Sequence, residues 1–440
     1  MNIATPAYHV SEVIHIIERA GYDCYMVGGC VRDMAIGREP KDYDLATNAL
    51  PETIIDLFPH VIKTGLKHGT VTVLIRNNPV EVTTLRCDGN YKDYRRPEQV
   101  IFTSDIQQDL SRRDFTMNAI AIKNEMVIDP FDGLTDISNK CIKAVGDPFD
   151  RFQEDALRMM RAVRFACQLG FSIEQNTLNE IKNNADLLIH VSAERVRDEL
   201  NKIITSNYAG HGLRVLIWGG LMNYIIPELI GCADFDQQST YHNKDVLNHM
   251  LSTVEYCDQD LVLRLSALLH DIAKPDCFEI VDGRGRFIGH EKKGGVKAEN
   301  ILKRLKYDNK TIEAVRLLVE NHMYKPSKIK CSSLSRFINK IKLENIENLF
   351  KLQKADIKAS AYDSDFSSVD YLQGKVMQFL EQKKPLTVNN LDINGYDLMK
   401  VGISEGPEIG RILNSLLEQV LSGKVNNKKT DLMRILEGVQ

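Results

Sequence analysis

The period of the hydrophobic residues changes near residue 140, and this change limits the fold more than any other feature of the chain. Residues 1 to about 135 contain short β-type runs with turn signals between them. Two of these runs, 70–75 and 80–85, flank an Asn-Asn-Pro turn at 77–79, which predicts a β-hairpin. From about residue 140 onward the apolar spacing is helical almost without interruption, with helices expected at 157–169 and 193–204 and loop-rich stretches near 232–244 and 279–295. The sequence therefore predicts an α/β domain followed by an all-α remainder.

The bulk composition narrows the class of protein. A chain of 440 residues is too long for one hydrophobic core, so about two to four domains are expected. The formal net charge of −4 excludes a globally basic nucleic-acid binder but leaves room for a local basic channel. Nine cysteines form no C-x-x-C pair, which argues against a thiolate zinc site or a disulfide framework. Because there is also no signal pattern and no bilayer-length apolar run, we expect a cytoplasmic protein without a membrane partner.

A Gly-Gly turn followed by two spaced aspartates is the strongest chemical signal in the first domain. A short buried run at 25–27 precedes Gly28 and Gly29, whose lack of a Cβ lets the backbone approach a triphosphate closely. On a strand, Asp42 and Asp44 project to the same face and offer the hard oxygen ligands that Mg²⁺ prefers. The Gly-Gly pair alone is usually an ordinary turn, and the pair of spaced aspartates alone is usually a solvated loop. Together they favour nucleotidyl transfer.

A third carboxylate, Glu81, lies on the run that follows the predicted hairpin turn. An antiparallel neighbour places this side chain beside Asp42 and Asp44, where three carboxylates can hold two Mg²⁺ ions. An edge-strand glutamate that faces water is nearly as consistent with the position of Glu81.

Two polar segments supply cations. Residues 86–100 are rich in arginine, lysine and tyrosine, which suits either a loop near phosphate or a plain surface loop. Arg112 and Arg113 are adjacent and point to different faces, so we expect one to meet phosphate and the other to pair internally.

Residues 154–164 predict one helix with a charged face. Asp155 and Arg158 stand three apart and so share that face. A carboxylate beside a guanidinium can match the donor and acceptor edge of a base. The spacing alone favours the alternative, an i,i+3 salt bridge.

Taken in order, these blocks resemble the class II tRNA nucleotidyltransferase and bacterial poly(A) polymerase family. The resemblance covers about residues 20 to 230 and implies a palm-type head with a mixed sheet, then a helical neck, body and tail. It also implies nucleotide selection without a nucleic-acid template. The matching blocks are G-G-x-x-R-D (28–33), D-x-D (42–44), R-R-D-F-T-x-N-A (112–119), D-P-F-D-G (129–133), E-D-x-x-R (154–158) and E-R-V-x-x-E-L (194–200).

The resemblance also implies roles for individual residues. Asp42 and Asp44 bind Mg²⁺, and together with Glu81, which is added from its predicted strand position, they are the expected catalytic set. Asp155 and Arg158 read the Watson–Crick edge of CTP or ATP. The other nucleotide-binding positions are Gly28, Gly29, Arg32, Asp33, Arg112, Arg113, Asp114, Asn118, Arg161 and Arg164.

Within this family, full CCA addition, partial addition and poly(A) synthesis compete as activities. Residues 86–97 resemble the flexible loop of enzymes that add the terminal A, which argues against a CC-only enzyme. An arginine-rich block of the kind expected after the head of a poly(A) polymerase is missing from the sequence. We therefore expect an enzyme that adds C, C and A from CTP and ATP to a tRNA lacking part or all of its 3′ CCA. Poly(A) polymerase is the alternative.

The second half has its own chemical signal, a His-Asp pair at 270–271 that closes the apolar run 261–269. Imidazole and carboxylate together suit a divalent transition metal or Mg²⁺. This segment resembles the HD phosphohydrolase superfamily, which implies phosphatase, 2′-nucleotidase or 2′,3′-cyclic phosphodiesterase activity. The resemblance maps the common ligands onto His249, His270, Asp271 and Asp356, with His290 and His322 as the extra histidines of binuclear members.

The expected organisation has four parts. These are a nucleotidyltransferase head at 1–138, a helical neck and body at 139–235 that binds nucleotide and RNA, an HD domain at 236–365, and a helical tail at 366–440. A rival from another class is an HD phosphohydrolase whose head only grips RNA, and the intact D-x-D pair argues against it. A non-enzymatic RNA-binding protein is the weakest alternative, because it would give no role to the two predicted metal-binding clusters.

Overall fold

The chain folds as two units, Met1–Ile230 and Gly231–Gln440. The structure is a computed structural model. It describes residues 6–89, 100–233, 235, 245–281, 284–360, 364–382 and 384–437. Part of the predicted flexible loop (90–99) and of the loop expected near 232–244 lies outside these described residues. No helix in the described part of the chain has both the length and the apolar character needed to cross a membrane.

The N-terminal unit combines a mixed sheet with helices. Its strands are β1 (Cys24–Val27), β2 (Asp44–Thr47), β3 (Val61–Gly65), β4 (Thr70–Ile75), β5 (Asn78–Thr84), β6 (Arg86–Asp88), β7 (Val100–Phe102), β8 (Ala121–Lys123), β9 (Met126–Ile128), β10 (Cys141–Ile142) and β11 (Ser172–Ile173). Its helices are α1 (Tyr8–Arg19), α2 (Gly29–Ala35), α3 (Pro51–Leu57), α4 (Ile106–Ser111), α5 (Gly133–Ser138), α6 (Pro148–Glu154), α7 (Leu157–Leu169), α8 (Gln175–Asn183), α9 (Ala193–Ile204), α10 (Ala209–Trp218) and α11 (Met222–Ile225).

The main sheet of this unit has seven strands in the order β3-β4-β5-β2-β1-β8-β9. The β2–β5 pair is parallel, and the other neighbours are antiparallel, so the predicted mixed sheet is confirmed. The predicted hairpin is β4–β5, but its turn lies at 76–77 and not at 77–79, since Asn78 and Pro79 already belong to β5. Its turn residues, Arg76 and Asn77, have φ angles of 49° and 64°, which is the left-handed geometry that two-residue hairpins favour. Strand β1 is buried along its whole length, so the core lies beneath the centre of the sheet.

The C-terminal unit is mostly helical. Its helices are α12 (Val246–Tyr256), α13 (Leu261–Leu269), α14 (His290–Arg304), α15 (Asn309–Asn321), α16 (Cys331–Ile341), α17 (Leu343–Ser360), α18 (Ser367–Glu381), α19 (Gly395–Lys400), α20 (Pro407–Leu421) and α21 (Lys429–Glu437). Helix α13 is apolar almost all round, and it packs against α12, α15 and α17. A helix that is hydrophobic on every side belongs at the centre of its unit.

Two local predictions were wrong. The segment 279–295, expected to be loop-rich, forms a hairpin of β12 (Phe278–Val281) and β13 (Arg284–Phe287) and then enters α14. The segment 154–164 is not one helix, because the chain breaks between α6 and α7. Asp155 has extended backbone angles there, with φ −144° and ψ 102°, and its carboxylate accepts the Leu157 backbone N–H at 3.2 Å. This bond begins a new helix and does not extend the old one.

Candidate active site

Two carboxylates lie side by side on the sheet of the N-terminal unit. Asp44 on β2 is paired with Glu81 on β5. The prediction that Glu81 neighbours an aspartate is confirmed, but the predicted antiparallel orientation was wrong. The reason is the β4–β5 hairpin, which places β5 between β4 and β2 and so reverses its direction relative to β2.

Asp42 lies in an exposed bend before β2, so the prediction that it shares a strand with Asp44 was wrong. Strand β1 ends at Val27, where the chain turns into α2, and it therefore offers no pairing partner beyond Leu45. Asp42 still acts on the site through its charge. Burial raises the pKa of Asp44 against the pull of Arg113, and the Asp42 carboxylate raises it further.

Glu81 responds to the same neighbours. Burial and then the charges of Asp44 and Asp42 raise the pKa of Glu81. Three carboxylates that repel one another form a donor set suited to a divalent cation, which removes the repulsion by binding.

Both the backbone conformation and the available space require glycine at position 28. Gly28 has a φ of 76°, in the left-handed region. A Cβ at this position would lie 2.8 Å from Nη1 of Arg113 and 3.7 Å from Oδ2 of Asp44. The missing side chain therefore lets Arg113 lie against the backbone beside the carboxylates.

Gly28, Asp44, Glu81 and Arg113 border a cavity of about 580 Å³ in the N-terminal unit, whereas Asp42 does not line it. Every predicted nucleotide-binding residue except Asp33 lines it, and Asp33 instead pairs with Arg32 at 2.8 Å. Among the described residues, the cavity wall contains four carboxylates, from Asp44, Glu81, Asp114 and Asp155. The same wall contains eight arginines, namely Arg32, Arg86, Arg112, Arg113, Arg158, Arg161, Arg164 and Arg195. This excess of fixed positive charge suits a polyanionic ligand.

Asp155 and Arg158 both face the cavity, but they do not pair with each other. Asp155 accepts hydrogen bonds from both terminal nitrogens of Arg195, at 2.8 and 3.2 Å. Arg158 donates to Glu154 at 2.5 Å and to the backbone carbonyl of Arg112 at 2.8 Å. The i,i+3 salt bridge favoured by spacing is therefore absent from these described residues, since separate partners fix each side chain.

Sequence reasoning gave no site role to Asp109, Arg195 or Glu199. Asp109 is 1% exposed and accepts from Arg112 at 2.5 Å and from Arg113 at 3.0 Å. One carboxylate thus holds both arginines, and both line the cavity, so the expected division between phosphate contact and internal pairing stays a prediction. The i,i+3 and i,i+4 spacing from Asp109 to the two arginines just after α4 was the available signal for Asp109. For Arg195 and Glu199 the only available signal was their place in the 194–200 block.

Asp114 holds a second arginine on the cavity wall. Its Oδ2 accepts from Nε of Arg161 at 2.8 Å, and its Oδ1 accepts from Nδ2 of Asn118 at 3.0 Å. Burial alone raises the pKa of Asp114, but Arg161 and Asn118 together hold it well below the usual range. Glu199, 4% exposed, holds Arg164 at 2.9 Å in the same way.

A second cluster lies in the C-terminal unit, where the structure brings all six predicted HD residues together. Oδ2 of Asp271 is 3.2 Å from Nε2 of His270 and 3.6 Å from Nε2 of His249. Its Oδ1 is 3.2 Å from Nε2 of His290 and 3.6 Å from Nε2 of His322. Asp271 is therefore shared between two histidine pairs, each able to form a metal-binding group with it. Asp356 joins the first pair, with Oδ1 3.2 Å from Nε2 of His249.

Backbone carbonyls orient three of these imidazoles. Nδ1 of His270, His290 and His322 lies 2.9, 2.7 and 2.7 Å from the carbonyls of Ala267, Phe287 and Val319 respectively. A ring that donates through Nδ1 presents its Nε2 lone pair on the opposite side, as metal-binding histidines do. The cluster therefore fits a divalent metal by both donor type and tautomer.

Two lysines offset the buried carboxylates of this cluster. Lys274 lies 2.7 Å from Asp271, and Lys325 lies 3.1 Å from Asp356. Burial alone raises the pKa of Asp271, but His270 and Lys274 hold it well below its usual range. The carboxylates are thus kept ionised in a buried place.

The sheet, its carboxylates and the arginine-lined cavity define a nucleotidyltransferase in the N-terminal unit. Three protein families match segments of the chain. They are the poly A polymerase head domain at residues 24–143, the probable RNA and SrmB-binding site of polymerase A at 170–231, and the putative tRNA nucleotidyltransferase domain 2 at 290–436. The chain belongs to the family of CCA-adding enzymes. It is 37% identical over 427 residues to the CCA-adding enzyme of Levilactobacillus brevis, which covers 96% of this chain and 95% of that protein.

Other relatives agree with this assignment. The CCA-adding enzyme of Geobacillus stearothermophilus is 48% identical over 227 residues, covering 51% of this chain and 56% of that protein. A crystal structure of the Bacillus stearothermophilus CCA-adding enzyme in complex with CTP matches 98% of this chain and 97% of its own, with a TM-score of 0.73 and 28% identity. As a member of this family the protein is an enzyme, a CCA-adding tRNA nucleotidyltransferase. The comparisons do not favour poly(A) polymerase.

Proposed function

We propose that the cavity of the N-terminal unit binds CTP and ATP in turn for transfer to the 3′-hydroxyl of a tRNA lacking part or all of its CCA. The observation that carries the proposal is the arginine-lined wall that meets Asp44 and Glu81 at one cavity. A triphosphate needs several cationic donors, and the carboxylates need a divalent cation between them.

We assign the Mg²⁺ ligands to Asp42 and Asp44, with Glu81 beside them. Burial first, and then repulsion from the neighbouring carboxylates, raises the pKa of Asp44 and of Glu81, and a bound cation would remove that repulsion. Mg²⁺ bound there would supply the positive charge that activates a hydroxyl nucleophile and offsets the charge of a leaving pyrophosphate. The chain itself positions the triphosphate, through the open Gly28 turn and the adjacent Arg113 guanidinium.

We assign nucleotide choice to Asp155 and Arg158. Cytosine and adenine each present an exocyclic amino donor beside a ring-nitrogen acceptor, which matches a carboxylate acceptor beside a guanidinium donor. Uracil and guanine present a carbonyl acceptor beside an N–H donor and so meet the wrong partners. Because Arg195 and Glu154 hold the two side chains, the protein can read a base edge without a nucleic-acid template.

The experiment compares Asp44→Asn with wild type in CMP incorporation into tRNA that lacks its 3′ end. The exposed Asp56 on α3, changed to Asn, is the matched control. We expect Asp44→Asn to lose incorporation by at least about a hundredfold while its tRNA affinity stays the same. Retained incorporation in this variant would overturn the assignment.

We propose a second activity for the six-residue cluster of the C-terminal unit, metal-dependent hydrolysis of phosphate esters such as 2′,3′-cyclic nucleotides. The sharing of Asp271 between two histidine pairs supports it. A divalent metal there would supply Lewis acidity toward the ester phosphate. A His270→Ala, Asp271→Asn double variant should lose both bound metal and cyclic-nucleotide hydrolysis. Unchanged hydrolysis would rule the activity out.

We retain four functional parts, namely the head at 1–138, the neck and body at 139–235, the HD domain at 236–365 and the tail at 366–440. The family match at 24–143 supports the head boundary.

We also propose a cytoplasmic location. None of the nine cysteines, all of which lie in the described part of the chain, forms a disulfide, which suits a reducing compartment.

A further inference from the structure

Three guanidinium groups surround the ring of Phe165 on the cavity wall. The ζ carbons of Arg164, Arg32 and Arg161 lie 4.3, 5.1 and 5.4 Å from the ring centroid. Arg32 belongs to α2, which follows the Gly28 turn, whereas the other two belong to α7. All three distances are within the range of a cation–π interaction. One aromatic ring therefore connects arginines from two separate helices.

The ring itself is firmly held. Phe165 is 6% exposed and lies edge-to-face against Phe115, with centroids 5.8 Å apart and planes at 85°. Phe115 is fully buried, and its backbone N–H donates to the carboxylate of Asp114. An edge-to-face pair fixes ring orientation as well as position. The guanidinium groups thus rest on a rigid surface.

Each arginine keeps donor capacity for a ligand. Arg32 donates to Asn118 and to Asp33, Arg161 donates to Asp114, and Arg164 donates to Glu199, so part of each fork of donors is already used. A guanidinium carries five N–H donors, and contact with a ring face uses none of them. Nε of Arg164 is buried and finds no hydrogen-bond partner among the described residues.

Three like charges so close together oppose one another. Burial and then the charge of Arg161 lower the pKa of Arg164, and Arg32 adds to the effect. The negative face of an aromatic ring offsets part of this repulsion while leaving the N–H donors unused. A polyanion entering the cavity would offset the rest.

We infer that Phe165 is a positioning residue for nucleotide binding, whose ring holds Arg32, Arg161 and Arg164 as one platform for the triphosphate. This inference depends on the proposed binding of CTP and ATP in the same cavity. A triphosphate is common to both nucleotides, so Phe165 acts on affinity for each of them. The choice between bases stays with Asp155 and Arg158.

The test compares Phe165→Leu, which removes the ring, with Phe165→Tyr, which keeps it. Phe171→Leu is the control, since Phe171 is similarly buried at 7% exposure and does not line the cavity. We expect KM for CTP and for ATP to rise by about tenfold in Phe165→Leu, with kcat changed less and the CTP-to-ATP preference unchanged. Phe165→Tyr and Phe171→Leu should keep the wild-type KM. If Phe165→Leu does not fold, Phe165→Met takes its place.

Competition by inorganic tripolyphosphate gives a readout that a purely structural role would not change. Its inhibition constant should rise in Phe165→Leu by the same factor as KM, whereas inhibition by the nucleoside cytidine should not change. Equal KM values in Phe165→Leu and Phe171→Leu, or a change in base preference alone, would overturn the inference. Either result leaves the proposed function intact, because the proposed function is tested separately, by CMP and AMP incorporation in the wild type and in Asp44→Asn.

Discussion

Arg195 donates hydrogen bonds from both of its terminal nitrogens to the carboxylate of Asp155, which lies 40 residues earlier in the chain. Asp155 lies at the break between α6 and α7, and this contact holds its carboxylate at the cavity wall. The residue that we assign to base reading is therefore positioned from α9, a helix to which sequence reasoning gave no site role.

Changing Arg195 to Ala should weaken base discrimination. A charge-assisted bidentate contact is worth about 1.5 to 3 kcal/mol, so we expect the ratio of CMP to UMP incorporation to fall by roughly ten- to a hundredfold. Incorporation assays with each nucleotide measure the ratio. Arg197→Ala is the control, because Arg197 lies on the same helix and pairs with its neighbour Asp198. An unchanged ratio in Arg195→Ala would show that Asp155 does not need this partner.

Changing Gly28 to Ala should damage nucleotide binding beyond the cost of backbone strain. Gly28 and Gly37 have φ angles of 76° and 74°, so alanine costs about 1 to 2 kcal/mol at either position. Only at Gly28 does the new Cβ meet the guanidinium of Arg113. We expect a similar loss of thermal stability in both variants but a higher KM for CTP only in Gly28→Ala. A raised KM in Gly37→Ala as well would assign the effect to strain.

Acid should destabilise the wild type more than an Asp114→Asn variant. The pKa of Asp114 is held well below its ordinary value of 3.8 in the folded protein. Such a carboxylate stabilises the fold above its unfolded pKa and loses that contribution as the pH falls through its folded pKa. Below about pH 4 the urea midpoint of the wild type should therefore fall more steeply than that of the variant. If the urea midpoints of the wild type and of Asp114→Asn fell equally with pH, this result would contradict the ion pair between Asp114 and Arg161.

Changing Asp271 to Asn should remove more metal than losing either histidine pair. Asp271 faces both pairs, so we expect about two divalent ions in the wild type, about one in His322→Ala and close to none in Asp271→Asn. Metal analysis after dialysis measures the content directly. The exposed His211, changed to Ala, serves as the control. Equal metal content in His322→Ala and the wild type would argue against two groups.

Long periodic segments were predictable from the sequence alone. The helices expected at 157–169 and 193–204 are α7 and α9, because their apolar spacing repeats over several turns. The site residues could be named because their blocks stand in family order. They meet at one cavity because the sheet and α7 bring distant segments together.

The predictions that were wrong depended on tertiary contacts, which no local sequence pattern encodes. The parallel direction of β5 follows from where its hairpin docks, and the orientation of Asp155 at the helix break depends on Arg195 from α9. Asp109 and Glu199 are buried acids whose partners are arginines of the cavity wall. Spacing along a helix gave only a weak hint of the first and none of the second.

The length and sequence of the product 3′ end test the central claim most directly. A tRNA lacking its last three nucleotides is incubated with CTP, with ATP, or with both, and the products are sequenced. CTP alone should add two residues, and both nucleotides together should add CCA and then stop. A growing A tail from ATP alone, or CCA addition that persists in an Asp44→Asn variant, would contradict the account.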